Sequence, residues 1–365
     1  MKLCYVAPGR SVHTERWLSA FVERGHQVHL IALPGEEASI EGVTIHRLSE
    51  GRPKMRFVSW TLAARRILRT VRPDILHGHY LTRYGWLAAA SLFRPLVLTA
   101  WGTDAYLDPP RSRATRLLTG WALRRAALVT ADADDLRRQV VRLGAAPRRV
   151  QVVQWGVDTT LFRPDLDASE LRQRLRLGEA PVILSTRALA PNYRQDVILR
   201  ALPAVLSVVP DAVLVLKYHE YDQAYLERLR ALTGELHLER AVRFVGGTPY
   251  AELAAYYALA DVFVSVARSD GTPVSLLEAM ACGAVPVVGD LPALREWVTD
   301  GENGFCVPGG DTAALGGALV RLLVAPKMRT QFARRNRDII RERADHAGQM
   351  GRMEQLYVGL TERRK

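Results

Sequence analysis

The sequence has little cysteine, little lysine and no long apolar run. Its three cysteines, Cys4, Cys282 and Cys306, have no CxxC partner, which excludes a disulfide scaffold and predicts reduced thiols in a reducing compartment. No segment approaches about 18 uninterrupted apolar residues, so no membrane span is expected. The apolar run near the start, KLCYVA, is too short for a signal peptide. These absences predict a cytoplasmic protein.

The positive charge is distributed unevenly. Residues 1–164 hold 25 Lys and Arg against 13 Asp and Glu, whereas residues 165–365 hold 25 of each, so the whole net charge of +12 lies in the first half. Such asymmetry points to an anionic partner: a nucleic acid, a membrane surface or an acidic substrate. An arginine-rich composition, with 45 Arg and 5 Lys, explains the asymmetry equally well without any partner.

Strands and helices alternate along the chain in two series, which predicts an α/β fold with two doubly wound domains and parallel sheets covered on both faces. Amphipathic helices are expected at 56–71 and 113–125, and one long charged helical region at 328–360. The two series join near 156–164. The expected strands are 2–7, 28–33, 74–77, 96–99, 128–131 and 150–154 in the first series, and 181–186, 212–217, 242–245, 262–266, 285–288 and 304–307 in the second.

Ligands of open α/β sheets bind beyond the carboxyl ends of the strands, where the stretch RSDGTPVSLLEAMACG is found. Gly271 permits a tight turn, and Pro273 suits the first position of a helix. Free amides at Val274–Leu276 would then bind a phosphate. Asp270 and Glu278 would bind hydroxyls of a sugar or ribose. The same spacing also fits an ordinary N-cap Asp and a surface Glu.

The spacing Asp270-x7-Glu278, followed by AMACG and AVPVV, resembles the donor-site signature of family-4 retaining glycosyltransferases of the GT-B fold, which usually begins with Glu. Further motifs match along the whole chain: DGENGF from Asp300, WGVDTTLFRP from Trp155, LHGHY and WGTD. The resemblance implies two Rossmann-like domains that face a central cleft. It places an acceptor-binding domain at 1–160, a donor-binding domain at 161–340, and a C-terminal helix at 341–365 that returns to the first domain.

The resemblance also implies a role for each matching residue. His79 would face the anomeric carbon, Asp270 would hold the transferred sugar, and Arg187 would clamp the diphosphate. His13 and Asp104 are the candidates for acceptor binding. The implied donor-binding residues are Gly9, Arg194, Gly246, Gly271, Thr272, Pro273, Val274, Ser275 and Glu278.

The chain departs from the family pattern in several loops. The first loop, APGRSVHTE, keeps only Gly9 where relatives often have two glycines, and its lack of GxGxxG argues against an NAD enzyme. Arg194 lies one residue beyond the place of the usual lysine. The strand 212–217 ends in KYHE instead of GxG. His77-x-His79 has the spacing of a metal pair, but no third ligand is near in sequence, so one histidine is expected to be structural.

The expected activity is transfer of a sugar from a UDP- or GDP-linked donor to a hydroxyl of a glycan, lipid-linked or small-molecule acceptor. The family implies retention of configuration, no metal and no cofactor, and a role in cell-envelope polysaccharide or glycolipid synthesis. No nucleic-acid partner is expected, because no nucleic-acid-binding motif is found. The alternatives are a basic nucleic-acid- or membrane-binding protein on a degenerate GT-B scaffold, and a GT-B nucleotide-sugar epimerase.

An anionic membrane surface is a further candidate partner, which would make the protein peripheral on the inner face of the cell membrane. The segments 52–72 and 111–125 interleave arginines with Phe57, Trp60 and Trp121. That composition suits an anionic membrane face. The same aromatic residues fit the core faces of ordinary helices, and the sequence leaves both interpretations open.

Overall fold

The computed structural model describes residues 1–51, 53–109 and 112–362. The chain forms two compact units, and the first combines Met1–Trp155 with Ala347–Lys365. The second unit is Gly156–His346. The boundaries predicted from the sequence are 160 and 340.

The first unit contains a parallel sheet whose described strands are arranged in the order β3-β2-β1-β4-β5-β6-β7. The inner strands are buried because helices cover the sheet. Residues 43–47 form an edge strand that the sequence analysis missed, since polar and apolar residues mix there and only partial burial results. The strands are β1 (Lys2–Val6), β2 (Gln27–Ala32), β3 (Val43–Arg47), β4 (Ile75–His79), β5 (Leu96–Thr99), β6 (Leu128–Ala131) and β7 (Val150–Val152).

Helices connect these strands, and their ends follow local rules. Ser11 and Ser112 cap two of them, each accepting a hydrogen bond from a backbone N–H of the first turn. The helix at 56–71 buries Trp60 and Leu68, whereas Phe57, which the core interpretation also places inside, is 43% exposed. The helices are α1 (Val12–Glu23), α2 (Arg56–Val71), α3 (Tyr84–Ala90), α4 (Thr103–Tyr106), α5 (Arg113–Arg125) and α6 (Asp134–Arg142).

The second unit contains a parallel sheet with the order β10-β9-β8-β11-β12-β13 among its described strands. These are β8 (Val182–Ser185), β9 (Val213–Lys217), β10 (Val242–Val245), β11 (Val262–Ser265), β12 (Val285–Gly289) and β13 (Phe305–Val307). Its helices are α7 (Ser169–Arg174), α8 (Gln195–Leu206), α9 (Gln223–Glu235), α10 (Leu253–Leu259), α11 (Val274–Cys282), α12 (Pro292–Arg295), α13 (Thr312–Leu323) and α14 (Pro326–Arg343). The α/β prediction with two parallel sheets is confirmed.

The C-terminal region is two helices, which separate at 344–345, close to the boundary predicted at 341. The chain breaks after α14 because Val157 N donates to Ala344 O at 2.7 Å and His346 N donates to Val157 O at 3.0 Å. The last helix, α15 (His346–Glu362), packs in the first unit, where the Tyr357 hydroxyl lies 3.2 Å from that of Tyr5. The predicted return of the C-terminal helix is therefore confirmed. Within the described ranges, no helix is both long and apolar enough to cross a bilayer.

Candidate active site

The start of α11 lies at the carboxyl edge of the second sheet, directly after β11. Pro273 occupies the N-cap with φ −70°, so the helix begins at Val274, one residue later than predicted. The amides of Leu276 and Leu277 point to Pro273 O, at 3.0 and 3.4 Å. This removes Leu276 from the predicted set of free amides. The α11 start offers an anion the amides of Val274 and Ser275, which precede the first helical hydrogen bonds.

Arg187 and Asp270 form an ion pair at this edge. Arg187 Nη2 lies 2.7 Å from Asp270 Oδ2, and Nη1 lies 2.9 Å from Ser275 Oγ. The two side chains are 12% and 14% exposed. Burial raises the pKa of Asp270, and the positive charge of Arg187 opposes that rise. Two predicted catalytic residues and one predicted donor-binding residue thus meet in one half-buried cluster, and the N-cap interpretation of Asp270 is wrong.

The loop after β8 contributes an aromatic residue that the sequence analysis missed. The Arg187 guanidinium lies 4.5 Å from the centre of the Tyr193 ring, a stacking contact that orients the cation. Arg194 adopts the left-handed conformation with φ 52°. Its guanidinium lies at the turn after β13, so close that a Cβ at Gly309 would be 2.7 Å from Nη1. The structure therefore brings Tyr193 against Arg187, and Arg194 against a different loop.

Glu278 is 3% exposed, so the surface interpretation of this residue is wrong. Tyr250 OH donates to Oε1 at 2.5 Å, and Tyr257 OH donates to Oε2 at 3.0 Å. Burial and the neighbouring Glu278 charge hold the pKa of Tyr257 well above its usual range. The predicted ribose-binding carboxylate is thus held by two tyrosines that lie 28 and 21 residues away along the chain.

Gly246 and Thr272 have mainly backbone and packing contacts. Lys217, which is 2% exposed at the end of β9, donates to Gly246 O at 3.1 Å and to Tyr218 O at 3.2 Å. Burial lowers the pKa of Lys217. Thr272 Oγ1 accepts from Trp297 Nε1 at 3.1 Å, which fixes the turn that precedes α11. Lys217 therefore ties the ends of β9 and β10 together beside Gly246, one of the predicted donor-binding residues.

His79, at the carboxyl end of β4, is fully buried among aromatic rings. Neither ring nitrogen has a hydrogen-bond partner in the described part of the chain. Burial lowers the pKa of His79 to about 3, so its imidazole is neutral at pH 7. The rings around it, with centroids 4.4–6.1 Å away, belong to Tyr5, Trp17, His77, Trp101 and Trp155.

His77 differs from His79 in that both of its nitrogens are engaged. Nδ1 lies 2.5 Å from Tyr357 OH, and Nε2 lies 2.6 Å from Thr99 Oγ1. His77 is therefore the structural member of the pair. No group of three or more His, Cys, Asp and Glu side chains within the described residues is arranged to hold a metal ion.

Asp104 in α4 is fully buried, and its carboxylate holds two loops. It accepts hydrogen bonds from Leu81 N at 2.6 Å and Trp101 N at 2.9 Å. Burial raises the pKa of Asp104 to about 6. The carboxylate thus positions the loops after β4 and β5. His13 in α1 lies beside this edge, with ring centroids 5.9 Å from Trp101 and 5.4 Å from Trp155.

Gly9 is held by a carboxylate that the sequence analysis did not single out. Its N–H donates to Glu36 Oε2 at 2.9 Å, and Tyr84 OH donates to the other oxygen of Glu36. A Cβ at Gly9 would lie 3.0 Å from Ala38 Cβ, so a side chain at that position would push Ala38 away by a few tenths of an ångström. Glu36 follows a strand end within a PGEE turn, which is the only sequence signal for its role.

Known proteins resemble the chain along nearly its whole length. Residues 167–339 match the family model described as glycosyl transferases group 1, and residues 2–133 match that described as glycosyl transferase 4-like. The D-inositol 3-phosphate glycosyltransferase of Acidothermus cellulolyticus is 30% identical over 91% of this chain and 81% of its own length. The chain belongs to this glycosyltransferase family.

Two further comparisons concern part of a relative and the fold alone. The GDP-mannose-dependent alpha-(1-6)-phosphatidylinositol monomannoside mannosyltransferase of Mycolicibacterium smegmatis is 37% identical, but the match spans 47% of this chain and only 46% of that protein. The crystal structure of Anabaena HepE with UDP-glucose superposes with a TM-score of 0.85 at 19% identity, covering 99% and 100% of the two chains. At this identity the likeness shows the fold, and the predicted GT-B fold is confirmed.

Proposed function

We propose that the chain is a retaining glycosyltransferase that moves a sugar from a UDP- or GDP-linked donor to a hydroxyl group. The observation that carries the proposal is the Arg187–Asp270–Ser275 cluster at the start of α11, since it combines a cation, a carboxylate and a helix N-terminus. A diphosphate suits the cation and the amides, and sugar hydroxyls suit the carboxylate. No other predicted cluster combines these three chemical groups.

Arg187 would exchange its contact with Asp270 for the diphosphate. Tyr193 would keep the guanidinium plane in place during that exchange, because cation–π stacking does not use its N–H groups. The Asp270 carboxylate, released from the ion pair, would accept hydrogen bonds from the transferred sugar. Ser275 and the amides of Val274 and Ser275 would complete the phosphate site.

The reaction would break the bond between the anomeric carbon and the phosphate oxygen and form one to the acceptor oxygen on the same face of the sugar. The acceptor proton would go to the departing phosphate, so no protein base is needed opposite the sugar. Arg187 would stabilise the charge that develops on that phosphate. His79, as a neutral imidazole with two unpaired nitrogens, would serve as a hydrogen-bonding group and not as a cation.

The acceptor would be a glycan, lipid-linked or small-molecule hydroxyl compound in cell-envelope polysaccharide or glycolipid synthesis, with His13 at its binding edge. Two relatives support a cyclitol or lipid-linked acceptor, because their names specify inositol 3-phosphate and a phosphatidylinositol mannoside. We propose a peripheral location at the inner face of the cell membrane, and catalysis without a bound metal or other cofactor.

The first experiment is a thermal-shift panel with UDP, GDP, ADP and their sugar conjugates, with and without EDTA. A ligand at about 100 times its dissociation constant stabilises by roughly 2.7 kcal/mol, or several degrees for a unit of this size. We expect the nucleotides of only one base to raise the melting temperature, by the same amount with and without EDTA. Glu278→Ala should abolish this rise, whereas the exposed Glu227→Ala should not.

The competing functions give different results in the same assay. A folded protein that responds to no nucleotide contradicts the proposal and favours a binding role. An epimerase would convert the donor sugar without acceptor, which chromatography of the donor after incubation detects. Transfer to inositol phosphates or lipid-linked sugars, followed by mass spectrometry, identifies the acceptor class.

A further inference from the structure

The first unit carries an apolar and basic surface that the proposed chemistry does not use. Its apolar members are large side chains that are 43–70% exposed, namely Met55, Phe57, Val58, Leu62, Leu92, Leu117 and Leu118. Its basic members are the exposed residues Arg66, Arg69, Arg113, Arg116 and Arg124. These residues lie on α2 and the turn before it, on α5 and on the turn after α3, and together they form the α2–α5 surface.

The exposed apolar residues are separate from those that hold the fold together. On α2 the buried face is Trp60, Ala64, Leu68 and Val71. Trp60 Nε1 donates to Ser49 O at 2.9 Å, so this tryptophan is part of the core and not of an outer surface. Val58 and Leu62 point away from that face, at 49% and 59% exposure, and contribute little to stability where they are.

The charge of the two helices has one sign. Their sequences contain eight arginines and no Asp or Glu. Arg65 turns inward and donates to Ala90 O at 2.8 Å, while Arg56 and Arg125 lie over tryptophan rings. The five exposed arginines of the α2–α5 surface have no acidic partner within the described ranges. Their charge therefore faces solvent without local compensation.

Apart from Leu92, which lies at the opposite edge of the sheet between α3 and β5, the topology places the apolar part of the surface next to the edge that carries His79. Both α2 and α5 follow strands of a parallel sheet, so each begins at its carboxyl edge, where His79 and Asp104 are found. The exposed apolar residues of both helices lie in their first two turns. The helix between them, α3, contacts both: Arg65 bonds to its last residue, and Trp86 Nε1 donates to Thr119 Oγ1 at 3.2 Å. The surface is therefore one continuous helical layer.

We infer that the α2–α5 surface binds an anionic phospholipid bilayer, with Leu62, Leu117 and Leu118 among the headgroups and the arginines on lipid phosphates. Mixed arginine and leucine side chains match both parts of such an interface. A nucleic acid would contact the arginines but would leave the leucines in water. The inference deepens the proposed function, since it would bring lipid-linked acceptors to the edge that carries His79, yet the binding itself requires no donor.

The test is co-sedimentation of the full chain with phosphatidylcholine vesicles, with and without phosphatidylglycerol. Binding should require the anionic lipid and should weaken as salt is raised, because the Debye length falls. Arg113→Gln with Arg116→Gln should weaken it by about fivefold per arginine. Leu117→Gln with Leu118→Gln should weaken it by about tenfold at constant charge.

Matched controls come from the second unit. Val208 and Val324 are 54% and 55% exposed, and Arg230 and Arg334 are exposed. Replacing each pair by glutamine should leave vesicle binding unchanged. Equal losses in both units would overturn the inference, because binding would then follow overall charge and apolarity instead of this surface.

Two other outcomes would also overturn it. One is no binding to anionic vesicles by protein that still shows the nucleotide thermal shift, a result that leaves the proposed transferase intact. The other is tight retention by duplex DNA that the arginine variant abolishes and the leucine variant does not affect, which identifies a nucleic-acid surface. Vesicle binding without any nucleotide shift supports the surface and contradicts the donor site, so the two proposals fail separately.

Discussion

The two units have the same parallel α/β plan but place their charge differently. The first has 28 Lys and Arg against 14 Asp and Glu, a net charge of +14, and the second has 22 against 24, a net charge of −2. Besides the half-buried Arg187–Asp270 pair, arginines of the second unit pair with acids nearer the surface: Arg163–Asp165, Arg174–Glu252, Arg295–Asp290, Arg329–Asp261, Arg335–Glu302 and Arg341–Asp338. In the first unit α2 and α5 have no acid to pair with.

The proposed anion site nevertheless lies in the acidic unit. One half-buried arginine and a helix N-terminus suffice for a diphosphate, because a local field in a partly desolvated place outweighs distant surface charges that water and salt screen. The basic unit instead has a neutral, aromatic edge around His79. We therefore expect the net charge of a unit to matter for binding to a large anionic surface, and the local geometry to decide where a small anion binds.

The largest expected effect comes from removing the one cation of the donor cluster. Arg187→Gln should lower kcat/KM by about 10²–10³, in line with the loss of one group that stabilises developing charge. The pKa of Asp270 should rise further, since the charge that opposes burial is gone. Kinetics with the donor identified by thermal shift measure this.

Arg163→Gln is the matched control, because Arg163 also pairs with an aspartate but is 48% exposed. It should keep full activity, as surface ion pairs contribute little. Vesicle binding should be unchanged in both variants. Near-normal sugar transfer by Arg187→Gln would contradict the conclusion that one local cation holds the diphosphate. The donor site would then depend on the overall positive charge of the basic unit.

The next effect is acid destabilisation of the first unit. His77 and His79 have folded pKa values lowered by burial, His79 to about 3, against about 6.5 unfolded. Below about pH 6.5 the unfolded chain binds protons that the folded chain does not, so stability falls by about 1.4 kcal/mol per pH unit for each histidine. The pKa of Asp104 is raised to about 6, so this carboxyl stabilises the folded unit as pH falls. It offsets the effect of one histidine from about pH 6 down to its unfolded pKa of about 3.9. With Asp104 set against one histidine, the share of His79 remains, a loss of about 1.4 kcal/mol per pH unit between about pH 6 and 4. The pKa values of His29 and His46, which burial also lowers, act in the same direction.

Tryptophan fluorescence during urea unfolding measures this, because every tryptophan except Trp297 lies in the first unit. The strands of the second unit contain no histidine in the described residues, and the raised pKa of Asp270 there favours the folded state in acid. The first unit should therefore unfold before the second as pH falls. His79→Phe places a ring that suits the aromatic surroundings. It should remove the contribution of His79 to the pH dependence of the free energy of unfolding, and an unchanged pH dependence would contradict the lowered pKa of His79.

Most of the fold could be predicted because buried parallel strands are short apolar runs between helices. The edge strand β3 could not, since Thr44 and Arg47 break its apolar pattern. The exact residues that separate α14 from α15 could not be predicted either, because Ala344 and Asp345 have no helix-breaking character. A backbone contact with Val157, distant in sequence, ends the helix there.

The candidate site could be predicted where its residues are adjacent in sequence, as around Asp270. The residues that hold it come from elsewhere: Tyr193 on Arg187, and Tyr250 and Tyr257 on Glu278. Tyrosine has no spacing rule that distinguishes such a role from core packing. Pairing across loops requires the tertiary structure.

A smaller effect is expected at Tyr250, whose hydroxyl occupies the carboxylate proposed to bind ribose. Ribose hydroxyls would have to displace it, so Tyr250→Phe should tighten nucleotide binding by about three- to tenfold, the value of one hydrogen bond. Isothermal titration calorimetry with the preferred nucleoside diphosphate measures it. Glu278 would then resemble Asp104 of the first unit, whose carboxylate is already engaged by two backbone amides.

Tyr257→Phe is the comparison variant. Its hydroxyl bonds to both Glu278 and Thr186 and is 1% exposed, so it belongs to the scaffold and its loss should weaken nucleotide binding. If both variants weaken binding alike, Tyr250 orients Glu278 instead of competing with the ribose.

The smallest effect sharpens the comparison of the two surfaces. Leu117 is 70% exposed, so Leu117→Gln should change the free energy of unfolding by less than about 0.5 kcal/mol. Leu199 is fully buried in α8, so Leu199→Ala should lower the free energy of unfolding by about 2–5 kcal/mol. Urea unfolding of both variants measures these values. If Leu117→Gln weakens vesicle binding but leaves the free energy of unfolding unchanged, Leu117 is exposed in order to contact a partner. If the free energy of unfolding falls by more than about 1 kcal/mol, the first unit needs Leu117 for its own packing.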